Sequence, residues 1–334
     1  MKKFIDILLL ICSLGYFLLL CMIPTSWWNS QFPFGVGEPL PALVLPGQNA
    51  KEIADAFYKA GIVTNPLELR GWMARLGIDR TLKTGMYMIK KGTSWEVAQQ
   101  LKEAVPSQEK VTIVPGSDLF SIKNAFPDMT EDEVSTLLQN TAIFPLDLQP
   151  LLPLAPETCV AFLLPDTYYV PEKKLEYVLK AGFTLWWKHF DTKIQNLSPH
   201  ELLETAILAS LVEREAKIDE ERPLIAGIIK NRVAKNMPLQ VDATIVYAWK
   251  REGENLSRVL FKHLEVDSPY NTYKKLGLPP TAICIPSIAS WEAALKPAQT
   301  EYLYYVAGKD GQHFFATTYQ GHLLNIRKIR GAQH

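Results

Sequence analysis

The chain has 334 residues, 35 of them basic and 35 acidic, for a formal net charge of +0. Hydrophobic residues make up 48% and charged residues 21%, a globular composition that excludes intrinsic disorder and a collagen-like fibre. The absence of a basic excess argues against a nucleic-acid partner, and four cysteines are too few for a disulfide scaffold.

Length predicts roughly two domains. Met1-Lys2-Lys3 precedes a run from Phe4 to Ile23 with one charge, Asp6. About 20 helical residues cross the hydrocarbon core of a bilayer, so 1–24 reads as a cytoplasmic tip and transmembrane anchor. Lys2 and Lys3 keep that end cytoplasmic, and Trp27 and Trp28 fall where an interfacial aromatic belt belongs. A cleaved signal peptide has a shorter apolar region and a small-x-small site, which this stretch lacks. The expected location is therefore the inner membrane, single-pass, with the bulk of the chain periplasmic.

Residues 25–41, rich in Gly and Pro, read as a linker. From 42 to 125 a strand, a Gly turn and a helix recur three times: Ala42–Leu45 before a helix from Ala50, Gly85–Ile89 before one ending near Leu101, and Val111–Val114 before one ending near Ala125. Thr93 or Ser94, and Ser117, are placed as N-caps. Three unequal copies make a small α+β domain rather than a solenoid. Residues 126–156 read as a helix and a Pro-rich connector, and 157–334 as a second body. Helices are expected near Lys173–Phe190, Ser198–Lys217, Glu221–Ala234 and Ser290–Leu295, with strands in YLYYVA and HFFATT. Whether Cys159 and Cys284 pair cannot be read from spacing.

The helix beginning at Ser198 is apolar nearly all round, so it belongs at the centre. It ends in Glu213 and Glu215. Two residues apart on a helix, they point to roughly opposite faces and cannot act as a dyad. A carboxyl in a desolvated cleft has a raised pKa, as a general acid requires; pairing with Arg214, Lys217, Arg222 or Arg232 would make either glutamate structural instead. Gln240–Thr244 and Ser268–Tyr273 are dense in hydroxyl, amide and aromatic groups, suited to sugar recognition or to an ordered turn. The nine-residue gap between His313 and His322 matches no zinc motif, and neither a phosphate loop nor a Gly-x-Ser-x-Gly elbow is present, so no metal or cofactor is expected.

Together these pieces resemble the YceG-like (MltG) family of endolytic murein transglycosylases. The resemblance runs in order through Leu164–Tyr168, Ala209–Glu215, Glu221-Arg222, Asn231-Arg232, Met237–Thr244, Ser268–Tyr273, Gly277–Pro280, Tyr302–Tyr304, His313-Phe314 and His322. The chain departs from the family pattern at Cys159-Val160-Ala161, where the family has Leu-Glu-Gly, and at Val241, Ala243 and Leu323. The resemblance implies an α+β fold: a single transmembrane helix, a LysM-like α+β domain at 42–125, and a mixed α+β catalytic domain at 157–334. It makes Glu215 the catalytic acid and Glu213 a supporting residue. Glu213, Gln240, Asp242, Tyr270, Asn271, Thr272 and Tyr273, with His313 and His322, would bind substrate. The implied reaction cuts the MurNAc-GlcNAc bond within nascent strands and leaves 1,6-anhydro-MurNAc ends, without a cofactor. Peptidoglycan glycan strands are the implied partner, and peptidoglycan synthases (penicillin-binding proteins) are candidate ones. Two other readings stay open: a catalytically inactive peptidoglycan-binding scaffold, and a hydrolytic muramidase in which Glu213 or Asp242 positions water.

Overall fold

The computed structural model describes residues 35–152, 155–308 and 310–331. The expected anchor lies outside the described residues, and among these no helix is long and apolar enough to cross a membrane. The fold is mixed α+β, and the chain divides into two compact units between Gln108 and Glu109.

In the first unit, strand β1 (Val36–Val44) pairs antiparallel with β2 (Gly85–Lys91). Helices α1 (Ala50–Lys59) and α2 (Pro66–Arg75) and a short helix (Ile78–Thr81) lie between them in sequence, and α3 (Ser94–Glu103) follows β2. The expected linker therefore ends earlier than Pro41, because 36–41 already belong to a strand. Pro39 and Pro41 are tolerated there because a two-stranded ribbon leaves an open edge. Asn49 and Thr93 cap α1 and α3 with capping boxes through Glu52 and Glu96. The core is Ile53, Phe57, Leu69, Met73, Tyr87, Ile89, Val97 and Leu101 among others, the inward faces of these elements.

The third strand–turn–helix copy is not part of this unit. Strand β3 (Glu109–Ile113) pairs antiparallel with β4 (Asp166–Val170), with Val111 opposite Tyr168. That pairing carries β3 and the following α4 (Leu119–Ala125) into the second unit, so the boundary falls at 108/109 rather than 125/126. Asp118, not Ser117, caps α4. The expected connector 126–156 contributes to the core instead: α5 (Glu131–Gln139) buries Val134 and Leu138, and Phe144 stacks on Phe183 at 4.0 Å between ring centres.

Most of the rest of the second unit is helical. Helix α6 (Leu175–Ile194) is followed by α7 (Pro199–Glu215), α8 (Arg222–Ala234), α9 (Asp242–Arg251) and α10 (Ile288–Leu295). Ser198 caps α7 through a capping box with Glu201, and Pro199 occupies its first turn. Helix α7 buries Leu202, Ala206–Val212 and packs against α8 and α10, as its all-round apolar character requires. Trp186, Trp291, Phe162 and Phe190 meet edge-on or tilted in the centre of this core, and Trp291 donates to the Ala161 carbonyl at 3.0 Å. The departing residues Cys159, Val160 and Ala161 are buried in the same core. Cys284 is a free buried thiol bonded to the Ser210 carbonyl, so it does not pair with Cys159.

Strands β5 (Tyr304–Ala307) and β6 (His313–Ala316) form an antiparallel hairpin, covered by α11 (Tyr319–Gly331). The segment leading into β5 is held against α8. Asn231 donates to the carbonyls of Thr300 and Tyr302, and Ala298 N–H donates to Pro223. Gly227 makes that approach possible: a Cβ there would lie 2.2 Å from the Ala298 carbonyl oxygen. Gly227→Ala must push the segment away and is expected to cost about 1–3 kcal/mol in urea unfolding, with activity falling as β5 moves.

Candidate active site

Helix α7 ends at Glu215 because Ala216 turns to extended backbone. Its two terminal glutamates point apart, as their spacing predicts. The Glu213 carboxylate turns into the protein, where Oε2 accepts from Ser287 N–H (2.9 Å), Ser287 Oγ (2.6 Å), Ser290 Oγ (2.7 Å) and Arg222 Nη1 (3.3 Å). Ser287 is the N-cap of α10, so Glu213 and Arg222 fasten α7 to that helix's positive end. Glu213 does not line the cleft, and its part is structural rather than substrate-binding.

Glu215 turns the other way. It lines an open cavity of about 400 Å³ together with Arg214, Arg232, Gln240, Asp242, Tyr273, Tyr305, His313 and His322. The residue is half-buried, its carboxyl opening onto the cavity. Burial pushes its pKa up, and the negative charge of Asp242 adds to this. A helix C-terminus also disfavours a carboxylate. Opposing this, Tyr305 Oη donates to Oε2 at 2.8 Å, and His313 and Arg232 lower the pKa; the net shift is upward. Tyr305 itself is held well above its ordinary pKa by burial and by Glu215, so it remains a donor.

Asp242, at the start of α9, accepts from Tyr273 Oη at 2.5 Å. Burial and Asp242 push the Tyr273 hydroxyl up. Gln240 sits in left-handed backbone, φ 53°, with its N–H bonded to the Thr272 carbonyl at 3.1 Å. A non-glycine residue held there stores local strain, which here sets the turn that delivers Gln240 and Asp242 to the cavity. His313 is fixed by Glu221, whose two oxygens meet its backbone N–H (2.9 Å) and Nδ1 (2.6 Å). His322 stacks on Tyr304, ring centres 5.5 Å apart. Burial, and to a lesser degree Arg232, lower its pKa.

Three expected substrate residues are turned inward. Tyr270 is 3% exposed, bonded to Thr281 Oγ1 at 2.6 Å and packed edge-on against Tyr247. Asn271 is fully buried; its Nδ2 donates to the Leu264 and Val266 carbonyls, and its Oδ1 accepts from Tyr273 N–H. Thr272 Oγ1 braces Val241 N–H and Thr244 Oγ1. These residues shape the loop, and Tyr273 alone among 270–273 lines the cavity. Sequence reasoning missed Tyr305; it took Glu221 only as a motif position, and Arg232 as a motif position and a possible ion-pair partner of the glutamates. Alternation along YLYYVA was the available signal for Tyr305.

A larger cavity of about 1070 Å³ lies among Phe126, Met129, Leu137, Lys173 and Leu175. None of the motif residues lines it, whereas Glu215, Arg232, Gln240, Asp242, Tyr273, His313 and His322 all line the smaller one. Among the described residues no cluster of three or more His, Cys, Asp or Glu is arranged to hold a metal.

Comparison with known proteins adds to this geometry. The profile of the YceG-like family matches residues 43–328. The chain belongs to that family. A Bacillus subtilis (strain 168) protein named endolytic murein transglycosylase is 31% identical over 302 residues, covering 83% of this chain and 81% of that protein. A Streptococcus pneumoniae serotype 2 (strain D39 / NCTC 7466) protein of the same name is 30% identical over 364 residues, with 97% of this chain and 64% of that protein covered. The crystal structure of a YceG-like protein from Listeria monocytogenes superposes with a TM-score of 0.52 at 25% identity, covering 87% of this chain and 100% of that one.

Two variants separate the glutamates of this YceG-like chain. Glu213→Ala leaves Arg222 buried beside a vacated partner and is expected to cost about 3 kcal/mol or more in denaturant unfolding; a loss no larger than that of an exposed ion pair would refute the fastening role. Tyr305→Phe removes a bond that holds the Glu215 pKa down. The basic limb of the kcat/KM–pH profile should therefore move to higher pH, while the maximal rate falls.

Proposed function

We propose that this chain is an endolytic murein lytic transglycosylase that uses Glu215 as its acid to cut the MurNAc-GlcNAc bond and leave 1,6-anhydro-MurNAc ends. The enzyme class rests on membership of the YceG-like family and on the relatives named endolytic murein transglycosylase. The observation that supports the mechanism is a half-buried carboxyl with a raised pKa, opening onto a polar cavity and oriented by Tyr305.

The protonated Glu215 donates to the bridging oxygen, and positive charge develops at the anomeric carbon. The muramic C6 hydroxyl then closes on C1. Because that nucleophile belongs to the same sugar, proximity supplies much of the rate and no water is consumed. The family resemblance assigns the hydroxyl proton to the same carboxylate once it is ionised. Gln240, Asp242, Tyr273 and His322 supply donors and acceptors around the bound sugar.

The setting is part of the proposal. The apolar run Phe4–Ile23 anchors the chain in the inner membrane, its body faces the periplasm, and cutting takes place beside peptidoglycan synthases. The first unit, with three helices between two antiparallel strands, is the candidate LysM-like module that grips glycan.

A hydrolytic muramidase remains a rival because Asp242 shares the cavity with Glu215; Glu213, locked by Arg222, cannot position the water. Mass spectrometry of murein digested by the chain separates these readings. Anhydro ends that fall at least about 100-fold in Glu215→Gln establish the transglycosylase and its acid. Ends heavier by one water establish the hydrolase. A Glu215→Gln variant indistinguishable from the parent chain identifies a binding scaffold.

A further inference from the structure

Both oxygens of Glu221 are committed to His313: one to its backbone N–H, the other to Nδ1. The pair is nearly enclosed, its side chains 5% and 15% exposed. A carboxylate only accepts, so Nδ1 carries a hydrogen and Nε2 is the nitrogen that gains or loses the second proton. Among the described residues nothing bonds Nε2, yet it is not among the buried polar atoms that lack a partner, so it is open to the cavity that His313 lines with Glu215. The hairpin places the two groups together: His313 faces Ala307 across the ladder, two pairs beyond Tyr305. The Tyr305 ring stands edge-on to the imidazole at 5.4 Å and 83° while its hydroxyl holds Glu215. The surrounding wall carries Arg214 of α7, Arg232 of α8, Asp242 of α9 and His322 of α11, with Glu221 behind the ring.

A carboxylate–imidazole pair with a free Nε2 is a general base, and here it adjoins a carboxyl fitted to donate. We infer that His313 is a second catalytic residue, whose Nε2 takes the proton of the muramic C6 hydroxyl, leaving Glu215 to act as the acid alone. The inference rests on the transglycosylase reading above. The steps balance. Glu215 gives its proton to the bridging oxygen as the bond from C1 to that oxygen breaks. The C6 oxygen then bonds to C1, and its proton passes to Nε2. Glu215 ends ionised, and His313 ends as an imidazolium paired with Glu221. Solvent returns the proton to Glu215 before the next turnover. Once ionised, Glu215 still accepts from the Tyr305 hydroxyl, whereas Nε2 of His313 is unbonded among the described residues and open to the cavity.

The test is the pH dependence of kcat/KM for release of anhydro ends from murein glycan by the full chain. A base and an acid together give a bell, an acidic limb belonging to the base and a basic limb where Glu215 ionises. His313→Gln should lose about 100-fold or more in kcat with little change in KM, and should lose the acidic limb while keeping the basic one. Glu221→Gln should lower kcat with little change in KM, because the carboxylate that orients the imidazole and pairs with its protonated form is gone. A parent profile with a basic limb only, or an acidic limb that persists in His313→Gln, overturns the inference. If His313→Gln does not fold, the parent profile and Glu221→Gln decide. Anhydro ends with a single-limbed profile overturn this inference alone, whereas reducing ends overturn the transglycosylase reading and this inference with it.

Discussion

The guanidinium of Arg232 is the point on which the cavity is assembled. It is buried, and its donors go to backbone: Nε to the Leu303 carbonyl at 2.7 Å, Nη1 to Leu239 at 2.6 Å and to Pro238 at 3.3 Å. Leu239 leads into Gln240 and Asp242, and Leu303 leads into Tyr305. One side chain of α8 thus sets the positions of two segments, far apart in sequence, that face Glu215. A planar, permanently charged fork suits this task because its donors have fixed directions and cannot be neutralised by burial. Asn231, the preceding residue, holds the carbonyls of Thr300 and Tyr302. The Asn-Arg pair in the family pattern is thereby explained as scaffolding, although Arg232 also reaches the cavity wall and pulls the Glu215 pKa down.

A second fastening operates at the end of α7. Glu213 would be costly to bury alone, and the four donors around it offset that cost. Its neighbour two positions on is left short of partners, with one hydrogen bond from Tyr305. The same helix end therefore holds one carboxylate satisfied by ion pairing and hydrogen bonds and another pushed toward its neutral form by burial. That contrast separates a glutamate fastened into the protein from one open to the cavity, and the first positions the second: by holding α7 against α10, Glu213 fixes the place of Glu215.

Residue chemistry in the sequence was a poor guide to which side chains meet solvent. Tyr270, Asn271, Thr272 and Tyr273 are equally apt for sugar in composition, yet three of the four are consumed in holding their own loop. Asn271 is an example: its amide and carbonyl are satisfied by three backbone groups of residues 264–273, which leaves nothing for a ligand. Helix α9 is not among the helices expected from the sequence, because Gln240–Thr244 carries turn-forming and β-branched residues; packing of Ile245, Tyr247 and Ala248 into the core overrides that local signal. The third strand–turn–helix copy looked local and proved to be paired with β4, 55 residues away between Thr112 and Thr167.

What the sequence determined by itself was whatever depends on local pattern. The α+β class, the centrally buried helix with its Ser198 cap, the opposed directions of Glu213 and Glu215, and the ordered motif string that marks the family all follow from spacing along one chain. Tertiary structure decided the rest. It chose which glutamate is paired, turned Tyr270, Asn271 and Thr272 inward, moved the unit boundary to Gln108, and brought Tyr305 and the Glu221–His313 pair to Glu215. The reason is physical: helix period and capping act over a few residues, whereas burial and the satisfaction of buried polar groups depend on partners that only folding brings within hydrogen-bond reach.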